Sequence, residues 1–377
     1  MARQTIDENL KRFVRLNLSE ESWNTQYSFQ VVLLLLLTAS WNASTIHARA
    51  SMPNADTVHL RFSFQALEEM EAEFYRQNLV ILKKLRWDKR KKLFLVADET
   101  HDPYCGKFWH KWIHKYKPKK GCTGSFCYLT IALVAPGQWR RVVRCIPMSV
   151  KTDMTKILTE TAVKIRAKIP YAAFLLDRGF YDKKYAFALQ RVGIPFIIRA
   201  ELRGRIKKRF EKITTQERFL HWQQQGHDCL FLWLGWKYRG EKRFKWGYLT
   251  NLNLKWSQCV YWYKRRWNIE NIFKATDGIQ LHIATAKIKP RLFAVLLSFM
   301  AYNEWQKRKH ASAEPMSLSI FLEEMINTLL VTYLKTGPPI LLHIPGWNIN
   351  TTYQGESSFH AFSHQKTLLL CLRHRKC

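Results

Sequence analysis

Acidic side chains are scarce. The chain has 377 residues, with 29 Asp and Glu against 61 Lys and Arg, a formal charge of +32. So large an excess excludes a self-neutralising surface and disfavours the compact state unless a polyanion or counterions compensate. Long apolar runs are missing too. Val31–Leu37 is a run of seven between Gln30 and Thr38, well short of the roughly 18 residues a membrane span needs. It also lies too far from the start, behind too polar an approach, for a secretory leader. The eight Cys residues (105, 122, 127, 145, 229, 259, 371 and 377) contain no CxxC pair and no regular framework. That fits reduced thiols in a cytoplasmic protein. No basic amphipathic helix stands out, which weighs against a membrane surface as partner. There is no internal repeat.

What is present is a core and a great deal of positive charge. Hydrophobic residues make up 47% and aromatics 14%, enough for one large catalytic domain with smaller appendages. The basic residues lie in clusters along the chain, at Lys83-Lys84, Lys89–Lys92, Lys117–Lys120 and Arg203–Arg209. A basic tail would look different. The distribution predicts a broad phosphate-contacting surface, with nucleic acid as partner. His110, His114, Cys122 and Cys127 form a possible zinc quartet, but the gap between the two Cys is loose for a structural site. They are read as packing and phosphate-contact groups.

Periodicity divides the chain in three. Residues 1–88 read as helical, with short helices from Asp7, Phe29, Ser44 and Asp56 and an amphipathic helix over Leu67–Leu85. They form either a helix-turn-helix that binds a DNA end or a generic helical cap. Residues 89–310 read as an α/β domain. Apolar runs at Leu93–Ala97, Cys127–Ala135, Trp139–Met148, Ala172–Leu176 and Ile194–Arg199 predict strands, with helices over Met154–Lys168 and Tyr181–Val192. Within it, residues 200–256 break the rhythm. A basic loop (Arg203–Lys212) and a Gln-rich stretch lead to strand-like runs at Cys229–Tyr238 and Arg243–Leu252, a β-rich insertion. A long helix over Pro290–Lys309 follows. Residues 311–377 hold a helix over Ser317–Leu334 and a tail of unknown role.

Tyr261–Lys274 is read as one two-faced helix. At about 100° per residue, Trp262, Ile269 and Phe273 fall within about 40° of one another, and Tyr263, Arg266, Glu270 and Lys274 within about 80° on another side. The polar row is either a solvated face with i,i+4 ion pairs or half of a site that holds metal and phosphate. Two further acids bear on this choice. Asp98 and Asp177 each follow five apolar residues. Strand carboxyl ends are where an open sheet collects its active groups. Two neighbouring carboxylates repel unless a cation lies between them, and oxygen donors suit Mg²⁺ or Mn²⁺. Glu270 would complete a site for two ions.

Val96-Ala-Asp98-Glu-Thr-His-Asp-Pro-Tyr-Cys-Gly106, Leu175-Leu-Asp177-Arg-Gly-Phe-Tyr181 and Tyr263-x2-Arg266-x3-Glu270 together resemble prokaryotic insertion-sequence transposases of the DDE class, in the group with a Tyr-Arg-Glu-Lys signature. The resemblance runs from about residue 30 to 310. It implies a ribonuclease-H-like mixed sheet flanked by helices, with the β-rich insertion between the second Asp and the Glu and an N-terminal helical domain. It implies Asp98, Asp177 and Glu270 as catalytic metal ligands for two Mg²⁺ or Mn²⁺ ions. Tyr263, Arg266 and Lys274 would contact the DNA end, as would Arg178 in the Asp-Arg-Gly block. The signature places Lys seven positions after the Glu; here position 277 is Asp, and Lys274 lies one turn after Glu270. Trp233, Trp236, Trp246 and Trp267 either stack on an unpaired base or pack in the core.

The expected function is that of a DNA transposase, cytoplasmic and nucleoid-associated. It would bind terminal inverted repeats as a homodimer, cleave a strand and transfer it. The alternatives are a metal-dependent nuclease of the same fold and an inactive DNA-binding remnant.

Overall fold

The structure is a computed structural model. It describes residues 66–84, 91–336 (apart from 119, 138, 225–227, 240, 282, 284 and 312–315), 359–364 and 367–372, with the single positions 12 and 88. The helices expected before residue 66 and most of the expected tail lie outside the described residues. The chain divides into two units, one of residues 74–273 and one of residues 1–73 with 274–377.

The first unit is built on a nine-stranded mixed sheet flanked by helices. Its middle consists of β1 (Phe94–Tyr104), β3 (Gly124–Val134), β4 (Arg140–Met148), β5 (Ala173–Leu176) and β6 (Phe196–Arg199), with a two-residue β2 (Ile113–His114) at the edge. β3 pairs antiparallel with β1, β4 and β2, whereas β1–β5 and β5–β6 are parallel. Parallel neighbours need crossovers. These are α2 (Met154–Arg166) and α3 (Lys183–Arg191), numbered after α1 (Leu67–Lys84). α2 starts where Asp153 accepts from the backbone N–H groups of Thr155 and Lys156. It buries Leu158, Ala162 and Ile165, and α3 buries Ala186, Phe187 and Leu189. β3 is buried along its whole length, so it reads as a continuous apolar run without alternation. Gly137, at φ +72°, makes the β3–β4 turn.

The β-rich insertion continues this sheet. β7 (Gln216–Gln224), β8 (Asp228–Arg239) and β9 (Lys242–Thr250) form an antiparallel meander, and β9 pairs with β6. Two expectations change here. The Gln-rich stretch is strand β7, half-covered by its own Phe219 and Trp222. The basic loop at Arg203–Lys212 is helix α4 (Gly204–Glu211). Its Ile206 and Phe210 stand four apart and pack on the core, a single apolar stripe inside a charge run.

The expected helix at Tyr261–Lys274 is in three parts: α5 (Trp256–Tyr263), a 3₁₀ turn (Lys264–Arg266) and α6 (Trp267–Asp277). In the second unit, α7 (Ile288–Ala311) is buried over most of its circumference. It meets α8 (Leu318–Thr336) through an Arg308–Glu324 ion pair of 3.9 Å and the Arg308 guanidinium 5.1 Å over Phe321. A hairpin of β10 (Phe359–His364) and β11 (Thr367–Leu372) completes the described chain. Among the described residues, no helix is long and apolar enough to cross a membrane.

Candidate active site

Asp98 does not end its strand. The antiparallel ladder with β3 carries β1 on to Tyr104, opposite Gly124. What stops is the parallel ladder, whose last pair is Ala97–Leu176. Asp98 and Asp177 are therefore the first residues past that last pair, on adjacent strands. The Glu99 backbone N–H donates to Asp98 Oδ1 at 3.0 Å. Asp177 opens the 3₁₀ turn Arg178–Phe180, but its carboxylate caps nothing there. It accepts instead from the Tyr263 hydroxyl at 3.4 Å.

The third acid arrives from the broken helix. α5 packs through Trp262 onto Phe94 of β1, ring edge to face at 5.5 Å, and through Trp256 onto Tyr248 of β9. Gly235 of β8 admits Trp256, since a Cβ there would lie 2.7 Å from the indole. Tyr263 is buried against Tyr248 and Trp246. In a 3₁₀ turn, residues three apart eclipse, which keeps Arg266 in line with Tyr263. One α-turn further on is Glu270.

Arg266 is the centre of the cluster, with its side chain only 12% exposed. Its Nη1 donates to Asp98 Oδ2 at 3.0 Å and its Nη2 to Glu270 Oε1 at 2.5 Å, while Nε stands 3.8 Å from Asp177 without a hydrogen-bond acceptor. Tyr263 and Arg266 thus reach the two strand acids and Glu270 joins them through Arg266, whereas Lys274, of the same polar row, is exposed. Three carboxylates share one guanidinium, so negative charge stays in excess. Burial, together with the Asp177 and Glu270 charges, pushes the Asp98 carboxyl up to about 6 against the pull of Arg266. Burial also holds the Tyr263 phenol well above its ordinary value. Arg266 is held more firmly charged, because its anionic neighbours outweigh its desolvation. The three carboxylates surround the guanidinium and not one another: among the described residues they do not form a set of ligand atoms within 4.8 Å.

The fold has a counterpart among solved structures. A piggyBac transposase synaptic complex with hairpin DNA is similar to this chain at a TM-score of 0.58 and 11% identity, over 89% of this chain and 80% of that one. The likeness is one of fold: the mixed sheet with its flanking helices is transposase-like. A Marinitoga piezophila Argonaute, in complex with 5′ OH guide RNA and target DNA, aligns only at a TM-score of 0.21 and 11% identity, over 70% and 41% of the two chains. No family profile matches the sequence, and no curated protein does.

Several of the other expected residues are exposed. Arg178 is exposed beside Asp177, and Trp267 is 55% exposed beside Arg266. Lys274 is exposed one turn beyond Glu270, across the boundary between units, and Asp277 is exposed at the end of α6. The Trp residues of the insertion are partly buried and held by their neighbours. The indoles of Trp233 and Trp236 donate to the carbonyls of Leu254 and Ile213, and Trp246 lies under Arg199 and Lys237.

Arg199 escaped the sequence reading. It closes β6, 3.3 Å over the Trp246 ring, and its charge acts on Tyr248, Tyr263 and Asp177. Burial lowers its pKa. The available signal was an Arg directly after the apolar run Phe196–Ile198. The zinc quartet does not assemble. Among the described residues, the one set of three or more ligand atoms within 4.8 Å of one another is Glu99, His101 and Cys127.

Proposed function

We propose that the chain is a DNA transposase that binds the terminal inverted repeats of an insertion sequence, cleaves one strand there and transfers the freed end to target DNA. The observation that carries the reading is the convergence of Asp98, Asp177 and Glu270 on Arg266. The transposase-like fold and the +32 charge add to it.

Asp98, Asp177 and Glu270 would hold two Mg²⁺ or Mn²⁺ ions, which would supply positive charge for the attacking and leaving oxygens. In the first step a water oxygen attacks the phosphodiester at the element boundary and releases a 3′-OH. In the second, that 3′-OH attacks a target phosphodiester, forming one P–O bond and breaking another. Arg266 carries its positive charge to the scissile phosphate. Tyr263, donating to Asp177, fixes that carboxylate and lines the approach of the DNA end. Arg178, Lys274 and the Trp267 ring contact the strand outside. Two ends must be paired, so the working form is a homodimer on DNA, nucleoid-associated in the cytoplasm. Residues 1–88 bind the end, residues 89–310 catalyse, and residues 311–377 have no role assigned.

Asp277, in the family's Lys position and exposed, favours a second reading, a DNA-binding remnant without cleavage. A labelled duplex carrying the element end separates the two. Metal-dependent nicking at the boundary followed by joined products, lost in Glu270→Gln with end binding retained, is the expected result. Nicking without joining leaves a nuclease. Salt-sensitive binding with no nicking in Mg²⁺ or Mn²⁺ leaves the remnant.

A further inference from the structure

The acids treated so far lie on one face of β1. Side chains alternate along a strand, so Glu99 and His101 lie on the other face. His101 is directly opposite Cys127 of β3. The Cys127 Sγ is 3.8 Å from Glu99 Oε2, and His101 Nε2 is also 3.8 Å from that oxygen. All three ligand atoms lie within 4.8 Å of one another. Zinc bonds of roughly 2.0–2.3 Å in a tetrahedron separate neighbouring ligand atoms by about 3.3–3.8 Å. The observed spacings need only a small contraction to reach that.

We propose that Glu99, His101 and Cys127 form a zinc site on the face of the sheet opposite Asp98, with its fourth position open to the adjoining cleft.

Three features of the surroundings support it. The His101 Nδ1 is hydrogen-bonded to the Ser125 hydroxyl at 3.2 Å, and Ser125 is fully buried. That bond turns Nε2 toward Glu99, which is how a neighbouring group orients an imidazole ligand. Tyr116 lies against the other side of the ring, with centroids 4.5 Å apart. The cleft has a volume of about 820 Å³, and His114 lines it beside the three ligands. His114 is opposite Ser125 in the β2–β3 pair and donates its Nε2–H to the Met148 carbonyl at 2.7 Å. Neither of its ring nitrogens belongs to the set within 4.8 Å, so the fourth position is left to water.

A thiolate, an imidazole and one carboxylate select zinc over magnesium. The carboxylate centre has oxygen donors alone and the reverse preference. A bound zinc would also hold Glu99, whose backbone N–H positions the Asp98 carboxylate. The ion therefore serves the neighbouring site by fixing the strand between the two.

Cobalt(II) is the probe. The full chain, stripped with a chelator and titrated with Co²⁺, is expected to develop a thiolate-to-cobalt charge-transfer band that reports one ion per chain and that added Zn²⁺ abolishes. Cys127→Ser should lose the band. Asp177→Asn should keep it, as should Cys105→Ser and Cys122→Ser. The last two matter because Cys105 and Cys122 lie 3.6 Å apart and are the competing thiols. Should Cys127→Ser fold poorly, Glu99→Gln at the half-exposed ligand keeps the test open, with Co²⁺ affinity expected to fall at least tenfold. Ser125→Ala, which only frees the His101 ring, should lower affinity by about 10- to 100-fold. A band unchanged in Cys127→Ser, an affinity unchanged in Glu99→Gln, or a band that vanishes in Cys105→Ser would overturn the proposal.

Discussion

The two faces of β1 make opposite use of one strand. On one face, Asp98 joins Asp177 and Glu270 around a buried guanidinium. On the other, Glu99, His101 and Cys127 bring their ligand atoms within 4.8 Å of one another. The first set comes from three separate elements and depends on distant packing, from Phe94 under Trp262 to Gly235 under Trp256. The second comes from two neighbouring strands in register and depends on little else. A long-range cluster holds its charges under strain, since burying like charges together costs energy that a single Arg offsets only in part. A cross-strand cluster of mixed donors carries less charge and less strain. The first suits chemistry on phosphates, and the second suits holding an ion in place.

The contrast can be broken by substitution. The largest effect is expected on strand cleavage at an element end. Asp177→Asn or Glu270→Gln should lower its rate on the order of 10³-fold, a loss of several kcal/mol of transition-state stabilisation. Cys127→Ser should cost less than about tenfold in the same assay, a loss under ~1.4 kcal/mol. Equal losses would erase the functional difference between the faces.

Removing the shared cation comes next. Arg266→Met leaves three carboxylates without their partner and should destabilise the chelator-treated protein by roughly 3 kcal/mol, read by urea denaturation. Part of that loss should return on adding Mg²⁺. No change in stability would mean that the charges are not held together in solution.

A smaller effect follows from Asp98, whose folded-state pKa of about 6 stands above the ordinary 3.8. Ionised Asp98 therefore costs stability above pH 6, and the cost disappears as pH falls from 6 toward 4. Without metal, Asp98→Asn should be more stable than the parent at pH 8 by on the order of 2 kcal/mol, with the gap closing near pH 4. A divalent ion at this centre should bind more weakly below pH 6, where Asp98 takes up a proton. The smallest effect belongs to the other face. Glu99→Gln at its half-exposed position should leave metal-free stability within about 0.5 kcal/mol.

The fold was largely legible because its strands are buried on both faces. Runs such as Leu93–Ala97 and Ala172–Leu176 have no competing period and stop at a polar residue. The insertion was recognised as β-rich, but its first strand was not, because Gln216–Gln224 alternates weakly and is half-exposed. α4 was hidden for a related reason: Arg and Lys fill its open face, and Ile206 and Phe210 give a stripe only two residues long. The site was legible as a list of residue types. Its arrangement was not. The helix period put Tyr263, Arg266 and Glu270 on one face, but only the tertiary fold decides whether that face looks to solvent or onto Asp98. Cross-strand register was out of reach, so Cys127 was grouped with Cys122 and His110 and not with His101, its partner on β3's neighbour.

Manganese binding, followed by electron paramagnetic resonance on the full chain with an end duplex present, tests the central claim most directly. The account predicts two Mn²⁺ per chain in the parent protein, at least one of them lost or weakened more than tenfold in Asp177→Asn, and no change in Cys127→Ser. Undiminished Mn²⁺ binding in Asp177→Asn would contradict it, and the carboxylates around Arg266 would then be a structural ion cluster.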